Sequence, residues 1–302
     1  AALVSISQPV LAAFPEKPIK LIVGFRAGGA SDAIATVLAK DMETILGQPV
    51  VKEIKAGGGG AKAAAAVKSA KPDGYTLVFA VTPTFAFNPA FAPGKTPYTK
   101  DDFDYLESLV KAQEAVYVKA DAPYQSWKEM LAYAKKGNAL NYSAVTPFDR
   151  LLTKYVSKKE GVTIKAVPTK GGSGALKNVL GGHTELGFSG GNHVKLLDKN
   201  QITVIASLRG ERLSATPDVP TLQELGYPIS FEAHFLVAGP KGMPADVNKK
   251  LIAAIQKASQ SAGMKKLLTK LPFQEDRLGP DGLSKAIDAS FKSSKAMVDS
   301  LK

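Results

Sequence analysis

The chain contains no cysteine. That excludes disulfides, thiolate metal sites, a cysteine nucleophile and a lipid-modified N-terminal cysteine, and it leaves the redox compartment open. Histidine is scarce: His183, His193 and His234 are the only 3. None has acidic neighbours at metal-ligand spacing, so no metal site is expected. No apolar run approaches the ~20 residues needed to cross a bilayer. The net charge is +12, yet there is no block of ~5–6 like charges and no aromatic-basic RNA motif, so nucleic acid is not an expected partner. The basic residues are scattered, mostly single lysines on amphipathic segments. A solvated face accounts for most of the excess, and attraction of small anions is the functional alternative.

Nucleotide signatures are missing as well. Residues 57–63 read GGGGAKA, without the Gly-Lys-Ser/Thr ending of a phosphate-binding loop, and no G-x-G-x-x-G follows the first strand. No cofactor is expected.

What is present is ordinary globular material: 302 residues, 45% hydrophobic and 22% charged. At roughly 150 residues per domain, that length suggests two domains, each able to bury a core. Residues 1–13 are small and apolar, then the chain turns polar at Phe14-Pro15-Glu16-Lys17. This reads either as a secretory-signal remnant cut near Ala12, with Val10 and Ala12 at the −3 and −1 positions of the cleavage site, or as a disordered N-terminal arm.

Ile19 to Phe25 is short, apolar and β-branched, as a buried strand should be. A glycine turn follows at Arg26-Ala27-Gly28-Gly29-Ala30-Ser31-Asp32. Ile34, Val37, Leu38, Ile45 and Leu46 then recur at helical spacing, and Gly47 closes the helix. The unit recurs with a strand at Val50 to Ile54, four glycines at 57–60 and an alanine-rich helix. Later strands are predicted at Tyr75 to Ala80, Leu140 to Ser143, Ile164 to Val167, Leu186 to Phe188 and Ile202 to Ser207. Such alternation predicts an α/β fold with mostly parallel sheets. Ala115 to Val118 and His234 to Pro240 read as crossover strands. The expected division is therefore 14–118 plus 235–302 as a discontinuous first domain and 119–234 as a second, with a ligand cleft between them. Helices are predicted at Val247 to Ser261, Met264 to Leu271 and Leu283 to Leu301.

The turn at Gly28-Gly29 combines positive-φ freedom with a helix start that Ser31 or Asp32 can cap, which makes an anion site or simply a strand-to-helix turn. Similar small polar turns follow other strands: Thr82-Pro83-Thr84, Thr146-Pro147-Phe148, Lys170-Gly171-Gly172-Ser173 and Ser189-Gly190-Gly191-Asn192. Strand C-termini form the binding edge of such sheets. Thr82, Thr84, Lys170 and Asn192 are thus candidate contacts. One catalytic pattern also matches: Gly187-Phe188-Ser189-Gly190-Gly191 fits the G-x-S-x-G nucleophile elbow, with Asp218 and His234 following in the order of a serine hydrolase. In a chain with 27 glycines that pattern arises easily by chance. A cytoplasmic ligand-sensing regulatory domain is a further alternative, although no helix-turn-helix segment precedes Phe14.

Taken in order, several stretches resemble the extracytoplasmic receptors of tripartite tricarboxylate transporters, the Bug or TctC family. They include FPEKPIKLIV from Phe14, Gly28 to Asp32, LGQPVV from Leu46, KPDGYTL from Lys71, Asn88-Pro89-Ala90, Leu140-Asn141-Tyr142-Ser143, Val179 to Gly182 and TPDVPT from Thr216. The resemblance implies a type II periplasmic-binding-protein fold and a secreted receptor without catalytic activity, expected as a monomer. It would pass a mono- or dicarboxylate or an aromatic acid to membrane permease subunits. It also implies that one carboxylate is held by backbone groups at two turns, which map to Arg26 through Asp32 and Val145 through Arg150, with Phe14 as the aromatic at the mouth. The sequence departs from the family pattern in three places. Phe25-Arg26-Ala27 replaces a proline-rich lead-in, Val145-Thr146-Pro147-Phe148-Asp149-Arg150 replaces a glycine- and serine-rich turn, and Ser189 stands where an acidic residue is common. Phe148 could stack on a ligand. Arg26 or Arg150 could pair with its carboxylate, or Arg150 could point to solvent. Thr146, Phe148 and Ser189 are the contacts expected from the second domain.

Overall fold

The computed structural model describes residues 14–302; the expected secretory remnant at 1–13 lies outside them. The first part of the chain runs β1 (Ile19–Val23), α1 (Ala30–Leu46), β2 (Val50–Ile54), α2 (Ala61–Lys68), β3 (Thr76–Val81), α3 (Thr82–Phe85), α4 (Phe87–Phe91) and β4 (Phe103–Lys111). The middle comprises β5 (Ala115–Lys119), α5 (Trp127–Lys135), β6 (Leu140–Ala144), α6 (Pro147–Glu160), β7 (Ile164–Pro168), α7 (Gly171–Leu180), β8 (Leu186–Ser189), α8 (Val194–Leu197) and β9 (Ile202–Ser207). The chain then returns through β10 (His234–Pro240), α9 (Ala245–Ser259), α10 (Ala262–Leu268), β11 (Gln274–Glu275) and α11 (Gly279–Asp299).

These strands form two sheets, one ordered β11-β4-β10-β3-β1-β2 and the other β7-β6-β8-β5-β9. Strands β1, β2 and β3 are parallel, and so are β6, β7 and β8. The long strands that run against their neighbours are β10 and β5. Each follows a passage of the chain from one sheet to the other, so each starts at the edge where the parallel strands end. Strand β5 pairs with β8 and β9 in the second sheet, whereas the sequence reading placed 115–118 with the first. The outward passage is therefore at 112–114. The return passage runs beside it: the Ala112 amide donates to Ala233 O, Leu208 to Glu114 O and Phe231 to Leu208 O, at 2.7–3.0 Å.

Alternation along the strands splits each sheet into two apolar faces. In the first sheet, Leu21, Val23, Phe79 and Val237 point to one face with Ile34, Leu38 and Met42 of α1. Ile22, Val78, Ala80 and Leu236 point to the other, with Ala63 and Val67 of α2 and Leu283 and Ile287 of α11. The second sheet repeats this with Val116 and Tyr142 under Trp127, Met130 and Leu152 on one side, and Tyr117 and Val204 with Val179 on the other. Fully burying a Leu, Ile or Phe is worth roughly 1.5–3 kcal/mol, so both sheets are firm platforms for the loops at their edges. Helix α1 ends as predicted: Gly47 sits at φ 71° and its amide caps Glu43 O at 2.9 Å. No helix among the described residues is long and apolar enough to cross a membrane.

Candidate functional site

A cleft of about 690 Å³ lies where the ends of both sheets face each other. All five turns singled out by sequence supply its wall, among them Ala30 and Ser31 after β1, Thr146 and Phe148 after β6, Gly172 after β7, and Gly190 and Asn192 after β8. Pro83 after β3 joins them. This is the arrangement expected where strand C-termini converge.

The start of α1 is the turn whose amides are least engaged. Its N-cap is Gly29, extended at φ −92° and ψ 175°, with no side-chain cap. Among the described residues the first-turn amides of Ala30 and Ser31 therefore keep free N–H groups, at the positive end of a 17-residue helix. The expectation that Ser31 or Asp32 caps the helix is not met. Asp32 instead reaches back to the Gly28 amide at 2.8 Å, and Lys52 Nζ bonds its other oxygen. The Lys52 hydrogen bond, then the Gly28 amide, hold the Asp32 carboxyl below its ordinary value. Asp32 is thereby neutralised and committed to the loop, and does not line the cleft. Ala27, Gly28 and Gly29 are exposed and shape the loop without forming cleft wall. Arg26 is exposed on the wall and makes no ion pair among the described residues.

The start of α6 offers less than its sequence suggested. Thr146 and Asp149 form a reciprocal capping box. Asp149 Oδ2 accepts from the Val145 and Thr146 amides at 2.7 and 2.6 Å, and the Asp149 amide donates to Thr146 Oγ1. Pro147 has no N–H, which leaves the Phe148 amide as the free donor of this turn. Burial of Asp149 pushes its carboxyl up to about 7 against those amide bonds. Helix α7 starts at Gly171 without a side-chain cap, so Gly172 adds a further first-turn amide beside Asn192.

Other predicted contacts lie elsewhere. Phe14 packs edge-on to Tyr75 with ring centroids 5.0 Å apart, at the opposite end of the strands from the cleft, because Pro15 and Ile19 lead it to the start of β1. Thr82 and Thr84 are wholly buried. Thr82 Oγ1 bridges the His234 backbone, and Thr84 Oγ1 donates to Gly59 O at 2.8 Å. Arg150 and Lys170 are exposed and off the wall.

Ser189 is 1% exposed. Its Oγ accepts from the Gly191 and His193 amides at 3.0 and 3.1 Å and ties the β8 turn together. Neither ring nitrogen of the buried His193 has a hydrogen-bond partner among the described residues, and burial lowers its pKa to about 4. The ring of His234 is engaged by Asp276 and Glu232. No histidine ring is hydrogen-bonded to the Ser189 hydroxyl, so the G-x-S-x-G match does not assemble an activated nucleophile.

Besides Ala112, Glu114 and Ala233 of the passages between the sheets, sequence reasoning missed two parts of the wall. One is the 57–60 glycine loop, considered only as a failed phosphate-binding motif. Gly57 through Gly60 all have positive φ, and the loop is pinned by Thr84 and by Asn88 Nδ2 donating to Gly58 O at 2.9 Å. The other is aromatic. Phe25, Phe87, Phe188, Phe231, Phe235 and Phe273 line the cleft together with Phe148. They come from distant positions, and no local spacing in the sequence unites them.

Residues 34–302 match the model of the tripartite tricarboxylate transporter family receptor, TctC. The chain belongs to this family. It is a solute-binding receptor of the Bug type and not an enzyme. It is similar to protein BugT of Bordetella pertussis, at 31% identity over 279 residues, covering 86% of this chain and 82% of BugT. Among solved structures it is similar to a TctC solute-binding protein from Polaromonas without ligand, with a TM-score of 0.81, 26% identity and coverage of 95% and 100%. It is also similar to MatC from Rhodopseudomonas palustris with bound malate, with a TM-score of 0.74, 26% identity and coverage of 94% and 100%. These neighbours share the receptor's two-sheet α/β architecture of the periplasmic-binding-protein type.

Proposed function

We propose that the receptor captures a small carboxylate in the cleft between its sheets and delivers it to permease subunits of a tripartite tricarboxylate-type transporter. It would work in the periplasm, after removal of a leader near Ala12. The observation that carries this reading is the convergence on one cleft of free first-turn amides from α1 and α6, Ala30 and Ser31 on one side and Phe148 on the other. Malate bound to MatC supports the carboxylate class.

An anion gripped from both sides favours the closed arrangement, because only there are both sets of amides engaged. The two adjacent passages, at 112–114 and 231–233, are the natural hinge. Seven phenylalanines on the wall favour a ligand with an apolar or aromatic body over a compact, fully polar tricarboxylate. Arg26 at the rim supplies the cation that steers and pairs with the acid.

A thermal-shift panel of mono-, di- and tricarboxylates with aliphatic and aromatic bodies tests the reading. Ligands that bind the folded state raise its melting temperature. At least one apolar carboxylate should do so, and Arg26→Ala should reduce the shift. A flat response to every acid would refute the proposal.

A further inference from the structure

The cleft floor carries a charge that the grip on a carboxylate does not use. Glu114 sits in the outward passage between the sheets, lines the cleft and is 1% exposed. Its Oε1 accepts the Ala233 amide at 2.8 Å. Its Oε2 is buried and has no hydrogen-bond partner among the described residues. The nearby Arg209, 2% exposed, does not bond to it: Nη1 donates to Ala112 O at 2.6 Å and Nη2 to Glu211 at 2.7 Å. Burial of a carboxylate oxygen without a donor is costly. The cost shows in the acidity of the group, which burial pushes up to about 7 even with Arg209 nearby.

The neighbourhood suits a cation. Ala233, whose amide holds Oε1, is flanked two residues away on each side by Phe231 and Phe235, and all three line the cleft. Aromatic faces beside a carboxylate attract an ammonium group both by charge and through the ring quadrupole. They offer nothing comparable to a second carboxylate, which Glu114 would repel.

The structure assigns to Glu114 the recognition of a positively charged amino group, so that the receptor prefers an amino-bearing carboxylic acid to the same acid without the amine. This rests on the carboxylate reading of the cleft: the free amides of α1 and α6 take the acid end, and the Glu114 floor takes the ammonium. The amine supplies the donor that Oε2 lacks and balances the buried charge.

Matched pairs test the assignment by titration calorimetry: 6-aminohexanoate against hexanoate, and 4-(aminomethyl)benzoate against 4-methylbenzoate. In at least one pair the amino acid should bind the wild-type receptor tenfold or more tightly. Glu114→Gln keeps an acceptor for the Ala233 amide. It should erase that preference, while the plain acid binds at least as tightly as to the wild type, since the variant removes a negative charge from the cleft and keeps the shape. A crystal structure of the wild-type complex gives a second reading that needs no variant, and should place the amine within hydrogen-bond distance of Glu114. If plain acids bind as tightly as their amino partners, or the amine lies away from Glu114, the assignment is wrong and the carboxylate reading stands. If none of the four acids binds, the assignment is wrong, and the carboxylate reading falls only if the wider panel of mono-, di- and tricarboxylates is also without effect.

Discussion

Phe148 and Phe231 stack with ring centroids 4.4 Å apart and planes inclined by 26°. Phe148 opens α6, and Phe231 lies in the return passage between the sheets. Phe87 of α4 meets both rings edge-on, at 6.1 and 6.3 Å. The trio thus joins the turn at the start of α6 to the return passage and to α4. Phe148 is 1% exposed, and truncating such a ring removes both buried area and stacking. Phe148→Ala should cost about 3–5 kcal/mol in urea unfolding, and Phe148→Leu less. A loss under about 1 kcal/mol for the alanine variant would mean that the trio does not hold the turn.

The return passage also carries a titrating network. His234 Nδ1 lies 2.7 Å from Asp276 and Nε2 lies 3.4 Å from Glu232. Burial alone would lower the His234 pKa, but the bonds to Asp276 and Glu232 outweigh it and raise the value to about 9. The His234 ring, the Gly210 amide and the Arg209 charge hold Glu232 down at about 2 against its burial. A raised folded-state pKa stabilises fully below the ordinary value of 6.5 and is lost as pH climbs through about 9. Melting temperature should therefore fall between pH 6.5 and 9, by an amount on the order of 3 kcal/mol in stability. His234→Gln should flatten the profile in that window. A wild-type profile with no decline there would contradict the network.

The strand-and-helix order, and the gathering of turns at one edge, were legible because both rest on local patterns. Ile19 to Phe25 is apolar and β-branched, Gly47 marks a helix end, and Thr146-Pro147 marks a helix start. The hydrogen bonds that consume those turns were legible only in part. Asp149 sits three residues after Thr146, a capping-box spacing, and claims two of the amides assigned to a ligand. Asp32 does the same to Gly28 with help from Lys52, 20 residues away. Glu114 and Phe273 reach the cleft only through tertiary packing, so no window of sequence places them together. Phe14 was placed at the mouth on resemblance alone, and it lies at the far end of β1 because the chain enters the sheet there.

Lys52 is predicted to protect anion binding without touching the ligand. It neutralises Asp32, which otherwise holds a negative charge over the free amides of α1. Lys52→Met should weaken carboxylate binding by about two- to fivefold, matching the 0.3–1 kcal/mol typical of charges at helix ends. Asp32→Asn/Lys52→Met removes both charges and should restore most of the affinity. Titration at low and high salt checks this, because the defect of the single variant should shrink as ionic strength rises. Equal affinities for the single variant and the wild type would remove Lys52 from the account.

Ser189→Ala tests the structural role of that hydroxyl. It deprives the Gly191 and His193 amides of their acceptor inside a buried turn, so stability should drop by about 1–3 kcal/mol. A fluorophosphonate probe should leave the wild-type receptor unlabelled at Ser189, since no histidine is placed to take its proton. Stoichiometric labelling would overturn this account of the turn.

The glycine loop gives the last expectation, through two separable penalties at Gly60. The residue sits at φ +90°, and an added Cβ would lie 2.6 Å from Thr84 Oγ1 and 3.0 Å from Thr84 Cγ2. Gly60→Ala therefore pays for an unfavourable backbone, about 1–2 kcal/mol, and for a clash with the side chain that pins Gly59. It should both destabilise the receptor and weaken carboxylate binding, because the loop is cleft wall. Gly60→Ala/Thr84→Ala removes both clashing atoms while leaving the backbone strain and losing the Thr84 to Gly59 hydrogen bond. The double variant should be more stable than the sum of the two single losses predicts, the sign of a relieved contact. Strictly additive losses in urea unfolding would show that Thr84 does not limit the space at Gly60, and that the loop's geometry is set by its backbone alone.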